Sequence, residues 1–133
     1  MSSVVADTHA ALWYLRGDPR LSTVARDAMR ASVRSGDPIV VASISVVELI
    51  YLVENGRLPV GALGVLREAL ASPSFGLVPA PLDLRVADAL PLISREDVPD
   101  MPDRVIAAKA LALRLPLVTR DGKIRSSGIE TIW

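Results

Sequence analysis

The chain has 133 residues, half of them hydrophobic, and its 15 basic and 15 acidic residues cancel. Such a length fits one domain with an extensive apolar core. The balanced charge excludes a global basic field, so any contact with nucleic acid has to be local. Cysteine is absent, which excludes disulfides and thiolate metal sites and fits a reducing cytoplasm.

The mean hydropathy of +0.37 is high enough to call for a test of membrane insertion. The most apolar stretch, residues 39–53, is shorter than the roughly 20 residues that a spanning helix needs. It also contains Glu48, whose charge would cost about 3 kcal/mol near the middle of a bilayer. The first residues lack the basic flank of a signal peptide. The sequence therefore predicts a cytoplasmic protein without a membrane segment.

Strands and helices are predicted to alternate along the chain. Short apolar runs predict strands at residues 3–6, 39–42, 76–78, 115–119 and 129–133. Apolar periodicity and capping residues predict helices at residues 10–15, 22–33, 43–54, 63–70, 82–90 and 102–113. Residues 91–99 are expected to be irregular and residues 120–123 to form a turn. The pattern predicts a single α/β domain over residues 1–133, with a mostly parallel sheet covered on both faces.

The predicted helix at 43–54 is apolar on nearly all sides, which predicts that it packs between other elements. Glu48 interrupts it, and an unpaired carboxylate in such surroundings must reach water, take up a proton or meet a cation. Ser45 and Glu48 also have the spacing of a capping box, in which the acid would serve only the helix. Spacing alone does not separate these alternatives.

Four acids are predicted to lie near the carboxyl ends of the strands, where ligands gather in open parallel sheets. They are Asp7, Glu48, Asp103 and Asp121, with Asp100 as a fifth candidate. Singly, each also fits a helix cap, a turn or a helix-dipole partner. Together they would repel one another unless a cation neutralised them. An all-oxygen set favours Mg²⁺ or Mn²⁺, ions that typically act on phosphates, and this predicts metal-dependent phosphodiester hydrolysis.

The acids lie within motifs that resemble a known family. The motifs are Asp7-Thr8-His9-Ala10, Ser45-x-x-Glu48, Asp100-Met101-Pro102-Asp103-Arg104 and Leu117-Val118-Thr119-Arg120-Asp121. In this order they resemble PIN-domain ribonucleases, and in particular the VapC toxins of bacterial type II toxin–antitoxin systems. The resemblance implies a three-layer α/β/α domain that cleaves RNA with Mg²⁺ or Mn²⁺. It also implies a VapB-like antitoxin as partner, and a homodimer.

The resemblance assigns the catalytic and metal-binding quartet to Asp7, Glu48, Asp103 and Asp121. It assigns to Thr119 a neighbouring polar position, which is expected to bind substrate. The related motif has the form Asp-Pro-Phe-Asp-Arg, whereas the proline here stands one position later. This shift leaves open whether Asp100 or Asp103 points at the metal, and the Ile-Ala-Ala that follows favours Asp103.

Basic residues beside the motifs are candidates for contacts to RNA phosphates. They are Arg16, Arg104, Arg120 and Lys123, and each could equally be an ordinary solvated charge. His9 could contact substrate, although a structural role at a helix start is favoured.

Three alternatives compete with a toxin nuclease. The first is a PIN nuclease with a housekeeping role in RNA processing. The second is a haloacid-type phosphatase with Asp7 as nucleophile, but that class has an acid two residues later, where His9 stands. The third is a non-catalytic binding module whose acids are only caps.

Overall fold

Parallel β-strands form the centre of the molecule, in a computed structural model that describes residues 3–133. The strands are β1 (Val4–Ala6), β2 (Ile39–Ala42), β3 (Leu77–Ala80), β4 (Leu117–Val118) and β5 (Thr131–Ile132). They are arranged in the order β3-β2-β1-β4-β5, and every neighbouring pair is parallel. The expectation of an α/β fold with a parallel central sheet is confirmed.

The connections between strands are mainly helical. The helices are α1 (Thr8–Arg16), α2 (Thr23–Arg34), α3 (Ile44–Glu54), α4 (Val60–Ala71), α5 (Leu84–Ala89), α6 (Met101–Leu113) and α7 (Gly122–Arg125). Single 3₁₀ turns occupy Pro73–Phe75 and Leu90–Leu92. No helix within residues 3–133 is long and apolar enough to cross a membrane.

The sheet separates two apolar layers, because successive side chains of a strand point to opposite faces. Val4 and Ala6 of β1 belong to the layer formed with α1, α2, α3 and α4. Val5 belongs to the opposite layer, which α5, α6 and α7 cover. Both layers are dry at the centre, with Val5 and Ala6 fully buried. The predicted three-layer α/β/α arrangement is therefore present.

Two local predictions are wrong. Residues 120–123 do not form a simple turn, because the Asp121 carboxylate accepts backbone N–H groups and starts α7. The third strand extends to Ala80 through Pro79, which was expected to end it. Pro79 is tolerated because β3 is an edge strand, where a missing N–H need not break a pairing.

Helix α3 packs between other elements, as expected, but these elements do not cover all of its apolar residues. Of its residues, only Ser45 and Leu49 are buried. Val47 is 43% exposed and Tyr51 is 62% exposed. The helix packs beside α1, α4 and α6, and these neighbours leave one apolar face uncovered by the described part of the chain.

Candidate active site

The candidate site lies where the chain reverses its direction across the sheet. The first three strands progress outward from β1, and the chain then returns to place β4 on the other side of β1. The loops after β1 and β4 therefore diverge, and the crevice between them is the usual ligand position in such sheets. A cavity of about 350 Å³ opens there, and it is lined by all five candidate acids, Asp7, Glu48, Asp100, Asp103 and Asp121.

Three of these acids also cap helices. Asp7 Oδ1 accepts the backbone N–H of Ala10 at 2.9 Å, and Asp121 Oδ1 accepts that of Lys123 at 2.8 Å. Asp100 Oδ2 accepts the N–H of Asp103 at 3.2 Å. A carboxylate has two oxygens, so capping with one leaves the other available to the cavity. The cap and the functional role are therefore compatible, and capping fixes the orientation of each group.

Glu48 is not part of a capping box. The N-cap of α3 is Ser43, and Ser45 lies inside the helix, so the spacing that suggested the box does not correspond to the helix start. Glu48 Oε1 instead accepts a hydrogen bond of 2.6 Å from the hydroxyl of Thr8. Thr8 is a buried residue, with 2% of its surface exposed. This bond ties the helix after β2 to the helix after β1. The hydroxyl of Ser45 is buried and has no hydrogen-bond partner among the described residues.

The donor set fits a small hard cation. One carboxylate oxygen from each of Glu48, Asp100 and Asp103 lies within 4.8 Å of the others. Asp100, the uncertain fifth candidate, thus belongs to the tightest group. Asp7 and Asp121 line the same cavity outside that triplet. Clustered oxygen ligands of this kind suit Mg²⁺ or Mn²⁺, which prefer carboxylates and water.

The electrostatics of the cluster favour a cation as well. Burial, followed by the charges of the neighbouring acids, raises the pKa of Asp103 to about 8. Burial also raises the pKa of Asp7, against the hydrogen bonds from Thr119 and the Ala10 N–H. The pKa of Glu48 is raised by burial too, although its bond to Thr8 opposes this. Without a cation, the cluster retains a proton near neutral pH because its negative charges repel.

Thr119 and Arg104, which were predicted to bind substrate, form hydrogen bonds with other parts of the chain. Thr119 is fully buried, and its hydroxyl oxygen accepts the N–H of Asp121 at 3.0 Å while hydrogen-bonding the Asp7 carboxylate. The Arg104 Nε donates to the carbonyl oxygen of Ile93 at 3.0 Å, which directs this side chain toward the 3₁₀ turn. Neither residue lines the 350 Å³ cavity.

The rest of the cavity lining is basic and apolar. It consists of His9, Trp13, Leu52, Arg57 and Arg120. The Arg120 guanidinium carbon lies 4.7 Å from the centre of the Trp13 ring. Arg57 was not singled out from the sequence, because it stands nine residues after Glu48 and outside the acidic motifs. Residues 56–59, Gly-Arg-Leu-Pro, also resemble the VapC branch, but neither this likeness nor the preceding Asn55-Gly56 helix stop reveals where the Arg57 side chain lies.

A family model decides the classification. The model of the family described as "PIN domain" matches residues 4–128 of this chain. The chain belongs to the PIN-domain family. This PIN domain is also 34% identical to Ribonuclease VapC22 of Mycobacterium tuberculosis over 129 residues, covering 95% of this chain and 92% of that protein. The predicted resemblance to PIN domains of the VapC type is confirmed.

Solved structures of toxin–antitoxin complexes have the same fold as this PIN domain. A chain of VapBC2 from Rickettsia felis, bound to a promoter DNA fragment, matches with a TM-score of 0.70 at 16% identity, covering 97% of this chain and 96% of that one. A chain of DNA-bound VapBC from Salmonella typhimurium matches with a TM-score of 0.70 at 22% identity, covering 98% and 97%. At such identities the likeness concerns the fold alone.

Proposed function

We propose that this VapC-type PIN domain hydrolyses RNA phosphodiester bonds with Mg²⁺ or Mn²⁺, as the toxin of a VapBC-type module in the cytoplasm. The observation that carries the proposal is the convergence of five carboxylates on one open cavity, with Glu48, Asp100 and Asp103 oxygens within 4.8 Å of one another. The similarity to Ribonuclease VapC22 supports RNA as the substrate.

Glu48, Asp100 and Asp103 would hold the ion, together with Asp7 and Asp121, which line the same cavity. When bound, such an ion polarises a phosphoryl oxygen and makes water a better nucleophile. The chain's contribution is rigid placement of the carboxylates. Thr8 holds Glu48, and the fully buried Thr119 holds Asp7, so we assign Thr119 a positioning role.

The proposal is tested by replacing Asp7 with Asn and measuring cleavage of RNA with Mg²⁺ or Mn²⁺. Asn keeps an oxygen that can cap α1, so the fold is expected to persist while a charge of the cluster is lost. Since outer-shell changes at metal sites already cost 10–100-fold, we expect activity to fall by at least about 100-fold. Asp27→Asn, at an exposed position of α2, is the matched control. Unchanged cleavage by Asp7→Asn would contradict the assignment.

The toxin role is tested in cells. Expression of the chain should arrest growth, and co-expression of a small antitoxin gene from the neighbouring reading frame should restore it. If the wild type arrests growth and the Asp7→Asn variant does not, the effect depends on the acidic cluster. Normal growth combined with RNA cleavage in vitro would favour the housekeeping PIN nuclease instead.

We further propose a homodimer, supported by the uncovered apolar face of α3. Val47 and Tyr51 on this face are 43% and 62% exposed, which is unfavourable for large apolar groups in a monomer. Tyr51→Lys should lower the molar mass in solution from that of a dimer toward that of a monomer, as measured by light scattering. A wild-type protein that is monomeric at high concentration would contradict the dimer.

A further inference from the structure

We propose that Arg57, Arg120 and His9, here called the basic wall, bind the RNA phosphate that neighbours the phosphate being cleaved. The inference rests on the proposed RNA-cleaving function and adds a substrate-positioning subsite to it. The three residues line the same cavity as the acids, and they come from α1, the segment after α3 and the loop after β4.

The charges along the crevice are distributed unevenly. A second cavity, of about 830 Å³, adjoins the first and shares Asp100, Asp103 and Asp121 with it. On that far side the lining adds Glu96 and Asp97 against a single cation, Lys123. The basic wall lies only on the near side. An RNA strand that crosses the acids is therefore expected to place a phosphate beside the basic wall, in the 350 Å³ cavity.

Arg120 is held in place for such a contact. Its guanidinium lies over Trp13, a side chain that is 6% exposed and packs against Trp133 at 6.0 Å between ring centres. Arg20 also lies over Trp13, at 5.1 Å, but it forms an ion pair of 2.7 Å with Asp18. Arg120 forms no ion pair or hydrogen bond through its side chain within residues 3–133. Its donors are therefore oriented by stacking and remain available to an anion.

The end of α3 places Arg57 beside the acids. Gly56 adopts a left-handed conformation with φ +72°, and the Arg57 N–H donates to the carbonyl of Leu52 at 2.9 Å. This closure folds the chain back over the last helical turn. Leu52 lies four residues after Glu48, on the same helix face, so the turn returns Arg57 to the side that carries the acid. No carboxylate pairs with Arg57 in the described part of the chain.

His9 is the third member of the basic wall and lines the same cavity as the two arginines. It stands two residues after Asp7 in the first turn of α1, and its exposed ring lies 5.6 Å from the ring of Trp13. The charge of His9 also acts on the carboxyl groups of Asp7 and Glu48, so the main phosphate contacts are assigned to the two arginines. A guanidinium is suited to bind a phosphate because it can donate two parallel hydrogen bonds to its oxygens.

The test measures binding of a short single-stranded RNA to Asp7→Asn protein, a background chosen to prevent cleavage. In it, Arg57→Ala and Arg120→Ala are each expected to weaken the Kd about tenfold, as for a hydrogen bond to a charged group. Each should also reduce the slope of log Kd against log salt by about 0.7, the value for one phosphate contact on a single strand. Arg57→Lys should restore part of the affinity. Arg34→Ala, exposed on α2 and away from both cavities, is the matched control.

The possible outcomes separate this inference from the proposed function. Loss of cleavage in Asp7→Asn, with Kd and salt slope unchanged by both arginine substitutions, would overturn the basic wall and leave the nuclease intact. Unchanged RNA binding with lost antitoxin binding would assign the wall to a protein partner and also overturn it. If Arg120→Ala unfolds because Trp13 loses its neighbour, Arg57→Ala alone decides.

Discussion

Asp103 should make the metal-free protein lose stability as the pH rises, and Asp103→Asn should remove that loss. The folded protein raises the pKa of this carboxyl from 3.8 to about 8, first by burial and then by repulsion from Asp100, Glu48, Asp121 and Asp7. Between these pH values the folded state holds a proton that the unfolded state has released. The stabilisation that this proton provides is complete below pH 3.8 and is lost as the pH rises through about 8.

The size of the effect follows from the shift. About four pKa units would correspond to about 6 kcal/mol for a group fully shielded from water. Asp103 is only partly buried, and solvent and salt screen its neighbours, so about 1–3 kcal/mol is the realistic range. Asn cannot ionise, and it therefore escapes the repulsion. The free energy of unfolding of Asp103→Asn should exceed that of the wild type by about 1–3 kcal/mol at pH 8. At pH 5 the difference between the two proteins should be much smaller.

Urea denaturation in EDTA at the two pH values measures this difference directly. Asp27→Asn, on the exposed face of α2, controls for the general effect of removing a charge. Mg²⁺ at about 1,000 times its Kd should reverse the order at pH 8, because the wild type gains about 4.1 kcal/mol of binding free energy that the variant forfeits. A difference between Asp103→Asn and wild type that is the same at pH 5 and pH 8 would refute the reasoning.

Two further substitutions test how the site and the fold are held. Thr8→Val removes the hydrogen bond to Glu48, so urea denaturation should show a free energy of unfolding lowered by about 1–3 kcal/mol, and RNA cleavage should fall as well. Thr8→Ser keeps the hydroxyl and should retain both stability and cleavage. Full activity of Thr8→Val would contradict a role of Thr8 in positioning Glu48. Gly76→Ala should lower the melting temperature more than Gly36→Ala. Both glycines have a left-handed φ, which costs alanine about 1–2 kcal/mol, but only at Gly76 would the new Cβ lie 2.7 Å from the Val33 side chain. Equal decreases in melting temperature for the two variants would refute the predicted clash between the new Cβ at position 76 and Val33.

Much of the fold and of the acidic site could be predicted from the sequence. Short β-branched runs such as residues 39–42 and the alanine-rich pattern of α6 are local signals, and a parallel α/β order follows from their alternation. The order then implies that acids following the strands share one edge of the sheet. The five acids that line the cavity were therefore identified without coordinates, and the family resemblance rested on the same residues.

The tertiary structure alone decided which side chains complete the site. The bond from Thr8 to Glu48 joins residues 40 positions apart, and the return of Arg57 toward the acids depends on how α3 ends. The exposed face of α3 likewise follows from how many neighbours it has, not from its composition. Residue patterns indicate local periodicity, and they indicate at which end of a strand or helix a side chain lies. They do not report distances between elements, because those distances arise from packing of the whole chain.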